Sequence, residues 1–181
     1  MLFRSVEDLA VLKRVIVQNV ADSGVAVLNA TDPAVARMAK NCSGTVTFFA
    51  ADKTHPVMAT HRAQGNRVVY VEDGNLVAAQ GKERHEIALS QVPITRNGAI
   101  GFQVDNVMAS LAAAWAVGLD WKTIALGLKT FANEADNAPG RFNVFDYKGA
   151  TLIADYGHNP DAILALVQAV ESMPEIGRAH V

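Results

Sequence analysis

Near its C-terminal end the chain carries two apolar, β-prone runs, centred on Arg141-Phe-Asn-Val-Phe145 and Ala150-Thr-Leu-Ile-Ala154. Lys148-Gly149 between them supplies a turn, and the pattern predicts a β-hairpin. The second run ends on Asp155, followed by Tyr156, Gly157 and His158. Asn159 then offers a helix cap, and Pro160 suits a first helical position. Ile163, Leu166, Val167 and Val170 recur at helical spacing and predict one buried face for that helix. A carboxylate and a histidine therefore stand where a strand hands over to a helix. In open α/β sheets ligands bind there, beyond the carboxyl ends of the strands. The upstream chain has to supply the rest of such a fold.

It does so in alternating segments. Val6 to Val20 predicts a helix, with Leu9, Leu12, Val15, Ile16 and Val20 as an apolar stripe and Glu7 and Asp8 at its positive end. Lys13 lies in this helix, and its residue-level reading is a solvated lysine. Val25 to Leu28 predicts a short strand that ends in the turn Asn29-Ala-Thr-Asp-Pro33, with a helix from Ala34 to Ala39. Thr45 to Ala50 predicts a second strand, and strand, helix, strand at this spacing indicates a parallel α/β sheet. From Arg67 three short strands, Val68 to Val71, Leu76 to Ala78 and Glu86 to Leu89, read as an antiparallel meander with turns at Asp73-Gly-Asn75 and Gly81. His55, His61 and His85 fall in or near it without metal-ligand spacing and read as surface histidines. A small-residue helix follows from about Val104 to Val117, stopped by Gly118. Asp120 caps another helix, with Ile124, Leu128 and Phe131 on one face. The polar segment Asn133 to Gly140 is the candidate domain boundary.

The charge balance sets outer limits. A formal net charge of -2 over 181 residues carries no basic excess, which argues against a nucleic-acid partner. No run reaches the roughly 20 apolar residues of a membrane span. The single Cys42 suits a reducing compartment, so the cytoplasm is the expected location. A homo-oligomer stays open. Residues 1–5 and 176–181 read as non-native tails resembling translated adapter sequence, leaving about Val6 to Glu175 as native.

Taken in order, Lys13, Asn29-Ala-Thr-Asp-Pro33, Gly101-Phe-Gln-Val-Asp-Asn106, Pro139-Gly-Arg-Phe142 and Asp155-Tyr-Gly-His-Asn-Pro160 resemble the Mur ligase family of ATP-dependent amide-forming ligases. The resemblance implies residues 1–138 as part of that family's central ATP-binding domain: a parallel sheet with helices plus a small antiparallel meander. It implies 139–181 as the opening of its Rossmann-like C-terminal domain. It further implies ATP and Mg²⁺ as cofactors. Gln103 and Asn106 match the adenine-contacting pair, Arg141 the residue that reaches the phosphates, and Asp155 the carboxylate that accepts from the ribose. His158 either orients its loop or lies near the phosphate; a structural histidine is the alternative. Lys13 matches a lysine that binds metal when carbamylated. Within the family, Val92-Pro-Ile-Thr-Arg96 and Ala138-Pro-Gly-Arg-Phe-Asn-Val144 are most similar to the branch that joins arginine to the aspartate side chains of cyanophycin, an aspartate–arginine polymer. Cyanophycin and arginine are then the implied substrates.

Two alternatives stand beside this reading: a peptidoglycan-type ligase adding an amino acid to a UDP-linked muropeptide, and a non-catalytic nucleotide-binding domain. No Gly-x-x-x-x-Gly-Lys-Ser/Thr loop occurs in the sequence. The chain is therefore expected to be a fragment, inactive on its own.

Overall fold

The computed structural model describes residues 5–173. Helix α1, Val6–Gln18, starts where the Ser5 hydroxyl accepts from the Asp8 N–H. Strand β1, Val25–Asn29, runs parallel to β2, Thr45–Asp52, and β2 parallel to β3, Val68–Glu72. Between β1 and β2 lie the short helix α2, Pro33–Ala36, and a 3₁₀ turn, Arg37–Asn41, in place of one continuous helix. The Asp32 carboxylate caps α2 by accepting from Ala34 and Val35. Between β2 and β3 runs α3, Pro56–Ala63, which the sequence reading did not anticipate. Parallel neighbours cannot be joined by a tight turn, so a crossover has to exist there.

The meander is not an appendage. Strand β4, Asn75–Gln80, pairs antiparallel with β3, and β5, Glu83–Ala88, with β4, so one five-stranded sheet runs β1-β2-β3-β4-β5. Alternate side chains go to opposite faces. Phe48, Val68, Tyr70 and Val77 pack with Val17, Met38 and Met58 under α1, the 3₁₀ turn and α3. Phe49, Val69, Leu76 and Ala78 pack on the other face against Val104, Val107, Met108 and Leu111 of α4, Gly101–Ala116, and Ile124 of α5, Trp121–Thr130. Gly118, at φ +84°, ends the helical segment after α4. Gly44 has to be glycine, since a Cβ there would lie 2.3 Å from the Gly24 carbonyl oxygen.

The C-terminal lobe is smaller. Strands β6, Asn143–Tyr147, and β7, Ala150–Ala154, form the hairpin, with Lys148 and Gly149 both at positive φ in its turn. Helix α6, Pro160–Glu171, is capped by the Asn159 side chain. Ile100, Phe142, Ala169 and Met173 are buried together, with Phe102, Val144, Ile153 and Leu166 around them, and join this lobe to the start of α4.

Three expectations need correction. The buried line of α6 runs through Leu166 and Ala169 and continues in Met173 just beyond the helix, while Ile163 and Val167 are 45% and 47% exposed. The apolar stripe of α1 is likewise outward: Leu9, Leu12, Val15 and Ile16 are exposed, and Ala10 and Val17 face the sheet. The three histidines are partly buried rather than superficial. His61 pairs through Nε2 with the Val46 carbonyl at 2.9 Å and meets the Phe48 ring edge-on, and His85 stacks on Trp121. The suspected tails, apart from Ser5 and its cap, lie outside the described residues.

Candidate functional site

A cleft of about 590 Å³ opens where the start of α4 faces the lobe. Five of the six residues singled out in the sequence line it: Gln103, Asn106, Arg141, Asp155 and His158. The first two come from the sheet body and the other three from the lobe. Each arrives there for a local reason.

Gln103 and Asn106 lie three residues apart on α4, so they share a helix face. Gln103 is buried, and its Oε1 accepts from Asn106 Nδ2 at 3.2 Å. The coupled amides offer donors and acceptors side by side at one wall of the cleft. Asp105, between them in sequence, is not in the lining. It is exposed as a residue, yet crowding around its carboxyl raises its pKa above the ordinary aspartate value through desolvation.

Arg141 sits between two residues in the left-handed region, Gly140 at φ +68° and Phe142 at φ +56°. For phenylalanine that conformation is unfavourable and has to be held by its surroundings. The Phe142 N–H donates to Asp155 Oδ2 at 2.9 Å, and its buried ring meets Phe102 edge-on at 5.5 Å. The guanidinium of Arg141 has no carboxylate partner among the described residues and stands 6.0 Å from the Tyr156 ring centroid. An unpaired cation at a cleft is available to an anionic ligand.

Asp155 follows β7 directly. While Oδ2 accepts from Phe142, Oδ1 accepts from the Gly157 N–H at 2.7 Å, so this carboxylate ties the end of β7 to the residue after Arg141. Each oxygen keeps a second lone pair for a ligand hydroxyl. His158 Nδ1 lies 3.1 Å from the Tyr156 carbonyl oxygen, and its ring is exposed at the mouth.

Lys13 is not brought to the other five. It lies on an exposed position of α1, and α1 packs on the sheet face opposite to α4. Among the described residues no three His, Cys, Asp or Glu side chains gather to hold a metal ion. Mg²⁺ is commonly held by one or two carboxylates together with substrate phosphates and water, and Asp155 is the one carboxylate among the described residues that line the cleft. The amide pair, cation and carboxylate fit a nucleotide.

The sequence reading gave no role to several lining residues. Phe131, expected on the Ile124 face, instead ends α5 and is 43% exposed along the cleft wall. Asn133 also lines the cleft, and its Nδ2 donates to the Arg141 carbonyl. Asn143, nearly fully buried, anchors the same turn from below. A polar residue directly after Gly-Arg-Phe, at the head of an apolar strand, is the one available signal for it.

Comparison with known proteins bears on what this cleft serves. Residues 2–114 match the model of the Mur ligase middle domain, and residues 140–181 that of the Mur ligase glutamate ligase domain. Similar curated proteins include cyanophycin synthetase of Geminocystis herdmanii, 34% identical over 93% of this chain and 19% of that protein. The cyanophycin synthetase of Synechocystis sp. is 35% identical over the same shares. The UDP-N-acetylmuramoyl-L-alanyl-D-glutamate–2,6-diaminopimelate ligase of Alkaliphilus metalliredigens is 28% identical over 82% of the chain and 28% of that ligase. The chain thus spans about a fifth of the length of the cyanophycin synthetases it matches. The middle-domain match alone covers more than half of the chain, which belongs to the Mur ligase family.

Proposed function

We propose that this chain is a segment of an ATP-dependent acid–amino-acid ligase. In this reading 1–138 is part of the central domain and 139–181 the opening of the C-terminal domain. The full-length enzyme joins arginine to the aspartate side chains of cyanophycin in the cytoplasm. The observation that carries the reading is the convergence of Gln103, Asn106, Arg141 and Asp155 on one cleft between two lobes. The similarity to proteins named cyanophycin synthetase supports the choice of substrates.

The chemistry divides among the residues. ATP phosphorylates a substrate carboxylate, releasing ADP; the arginine amine then attacks the acyl carbon and phosphate leaves. Charge on the transferring phosphoryl group dominates the barrier, so positioning and cations matter most. Gln103 and Asn106 read the adenine edge, and Asp155 accepts from the ribose hydroxyls while holding the Arg141 turn. Arg141 meets the phosphates with its planar fork. His158 orients the loop after β7. Mg²⁺, when bound, neutralises phosphate charge. Lys13, exposed on α1 on the sheet face away from α4, is read as a solvated helix lysine, and a carbamylated, metal-binding role for it would draw on ligands from the rest of the full-length enzyme.

The test is arginine-dependent ADP release by the full-length enzyme supplied with cyanophycin. Removing a charge-assisted contact of about 1.5–3 kcal/mol predicts that Arg141→Ala lowers kcat/KM for ATP by roughly 10- to 100-fold. Unchanged turnover in that variant would overturn the site. Turnover that requires a UDP-muropeptide instead would establish the peptidoglycan-type alternative, and a protein without turnover the non-catalytic one. The 181-residue chain alone is expected to show no arginine-dependent ATP hydrolysis.

A further inference from the structure

The turn that carries Arg141 is built around two side-chain amides. Asn143 is 2% exposed and uses both ends of its amide. Its Oδ1 accepts from the Gly140 N–H at 2.7 Å and the Arg141 N–H at 3.3 Å. Its Nδ2 donates to the Asn133 carbonyl at 3.2 Å and the Ala138 carbonyl at 3.1 Å. Asn133 answers from the segment after α5: its Nδ2 donates to the Arg141 carbonyl and, at 3.4 Å, to that of Phe142. The two asparagines thus bond each other's segment, and backbone groups on both sides of the Arg141 Cα are held.

Gly140 and Phe142 both sit at positive φ, and a buried amide is stabilising only when its polar atoms are satisfied. The order has a local consequence. With its N–H and C=O both bound, the Arg141 backbone is restrained on either side of the Cα from which its exposed side chain reaches the cleft. The clasp also joins Asn133, on the sheet body's side of the boundary, to Asn143, the first residue of the lobe's hairpin. It therefore fixes where the lobe's cation stands relative to the amide pair on α4.

We infer that Asn143 and Asn133 form a positioning clasp that presets Arg141 toward the anionic part of a nucleotide in the cleft. This rests on the proposed ATP site. Neither residue is assigned a contact with the nucleotide; both act through the Arg141 backbone.

A double-mutant cycle in the full-length enzyme tests it, reading the KM for ATP and the thermal midpoint of each variant. Asn143→Ala is expected to raise the KM for ATP about tenfold, comparable to the loss of one charge-assisted contact. In an Arg141→Ala background the same substitution should leave that KM unchanged while still lowering the thermal midpoint. A purely structural asparagine would move only the midpoint, and KM would stay at the wild-type value. A direct ligand contact would raise KM again in the Arg141→Ala background. Either result overturns the clasp. If Asn143→Ala does not fold, Asn133→Ala carries the same cycle, since it removes the bond to the Arg141 carbonyl and leaves the Asn143 oxygen in place. An unchanged KM in Arg141→Ala by itself would sink the ATP site, and the clasp with it, so the two failures read differently.

Discussion

In the sheet body the central strands are covered on both faces; in the C-terminal lobe the hairpin is covered on one. Val68, Val69, Leu76, Val77 and Ala78 are wholly inaccessible, with side chains alternating between two separate cores. In the hairpin, by contrast, Phe145, Tyr147 and Leu152 are 40–59% exposed, and four buried residues hold the lobe to α4. A two-stranded hairpin is marginal by itself, so the lobe owes its order to docking. The body's order rests on its own two cores and the lobe's on docking. The cleft lies between them, and a ligand that touches both will stabilise the docked arrangement by mass action.

The contrast can be broken first in the body. Leu111 is fully buried in the core between α4 and the sheet. Leu111→Ala should cost about 3–5 kcal/mol, read as a loss of the whole unfolding transition in urea. A cost under 1 kcal/mol would mean that this core can collapse around the cavity.

Phe142→Ala tests the lobe. It removes the ring packed against Phe102 and Ile100, for about 3 kcal/mol, but that loss should fall on docking alone. Hydrogen exchange should speed up in the β6 and β7 amides while β3 and β4 stay protected. Equal deprotection of both regions would show one cooperative unit and erase the distinction. Asp155→Asn acts more weakly at the same place. One of the two N–H groups of Phe142 and Gly157 then faces an amide NH₂ in place of an acceptor. Roughly 1–2 kcal/mol of docking free energy is expected to go, again with little change in β3 and β4.

The same contrast explains what was legible in the sequence. Body strands covered on both faces read as short unbroken apolar runs between turn residues, and those runs announced them; Asp120 and Asn159 announced helix starts through capping chemistry that is local by nature. Helices α1 and α6 were legible as helices but not by face. Both are apolar over much of their surface, so periodicity offers several faces and only tertiary contact selects Val17 in one and Ala169 in the other. Helix α3 escaped because its eight residues bury little besides Met58. In the cleft, Gln103, Asn106, Arg141, Asp155 and His158 were named through motif resemblance, while the roles given to them stay a proposal. Of the Asn133–Asn143 pair only the place of Asn143 directly after Gly-Arg-Phe was a hint; the pairing itself was not legible, since its bonds link backbone groups across a turn whose path no local pattern encodes.

The smallest expected effect separates the two regions by pH. Desolvation raises the Asp105 carboxyl pKa in the folded chain. The folded state then holds that proton to higher pH than the unfolded chain does. As pH rises from below the unfolded value through the folded one, folding loses stability, and the penalty is complete at neutral pH. Asp105→Asn should therefore raise the thermal midpoint of the body slightly at pH 7, and the gain should vanish in acid, where both side chains are neutral. Exposure of the residue keeps the effect small. Asp105 is outside the cleft lining and the cluster that docks the lobe, so exchange in β6 and β7 should not respond. A lower midpoint at pH 7 would mean that the charged form has a favourable partner, and Asp105 would then belong to the boundary between the two regions rather than to the body.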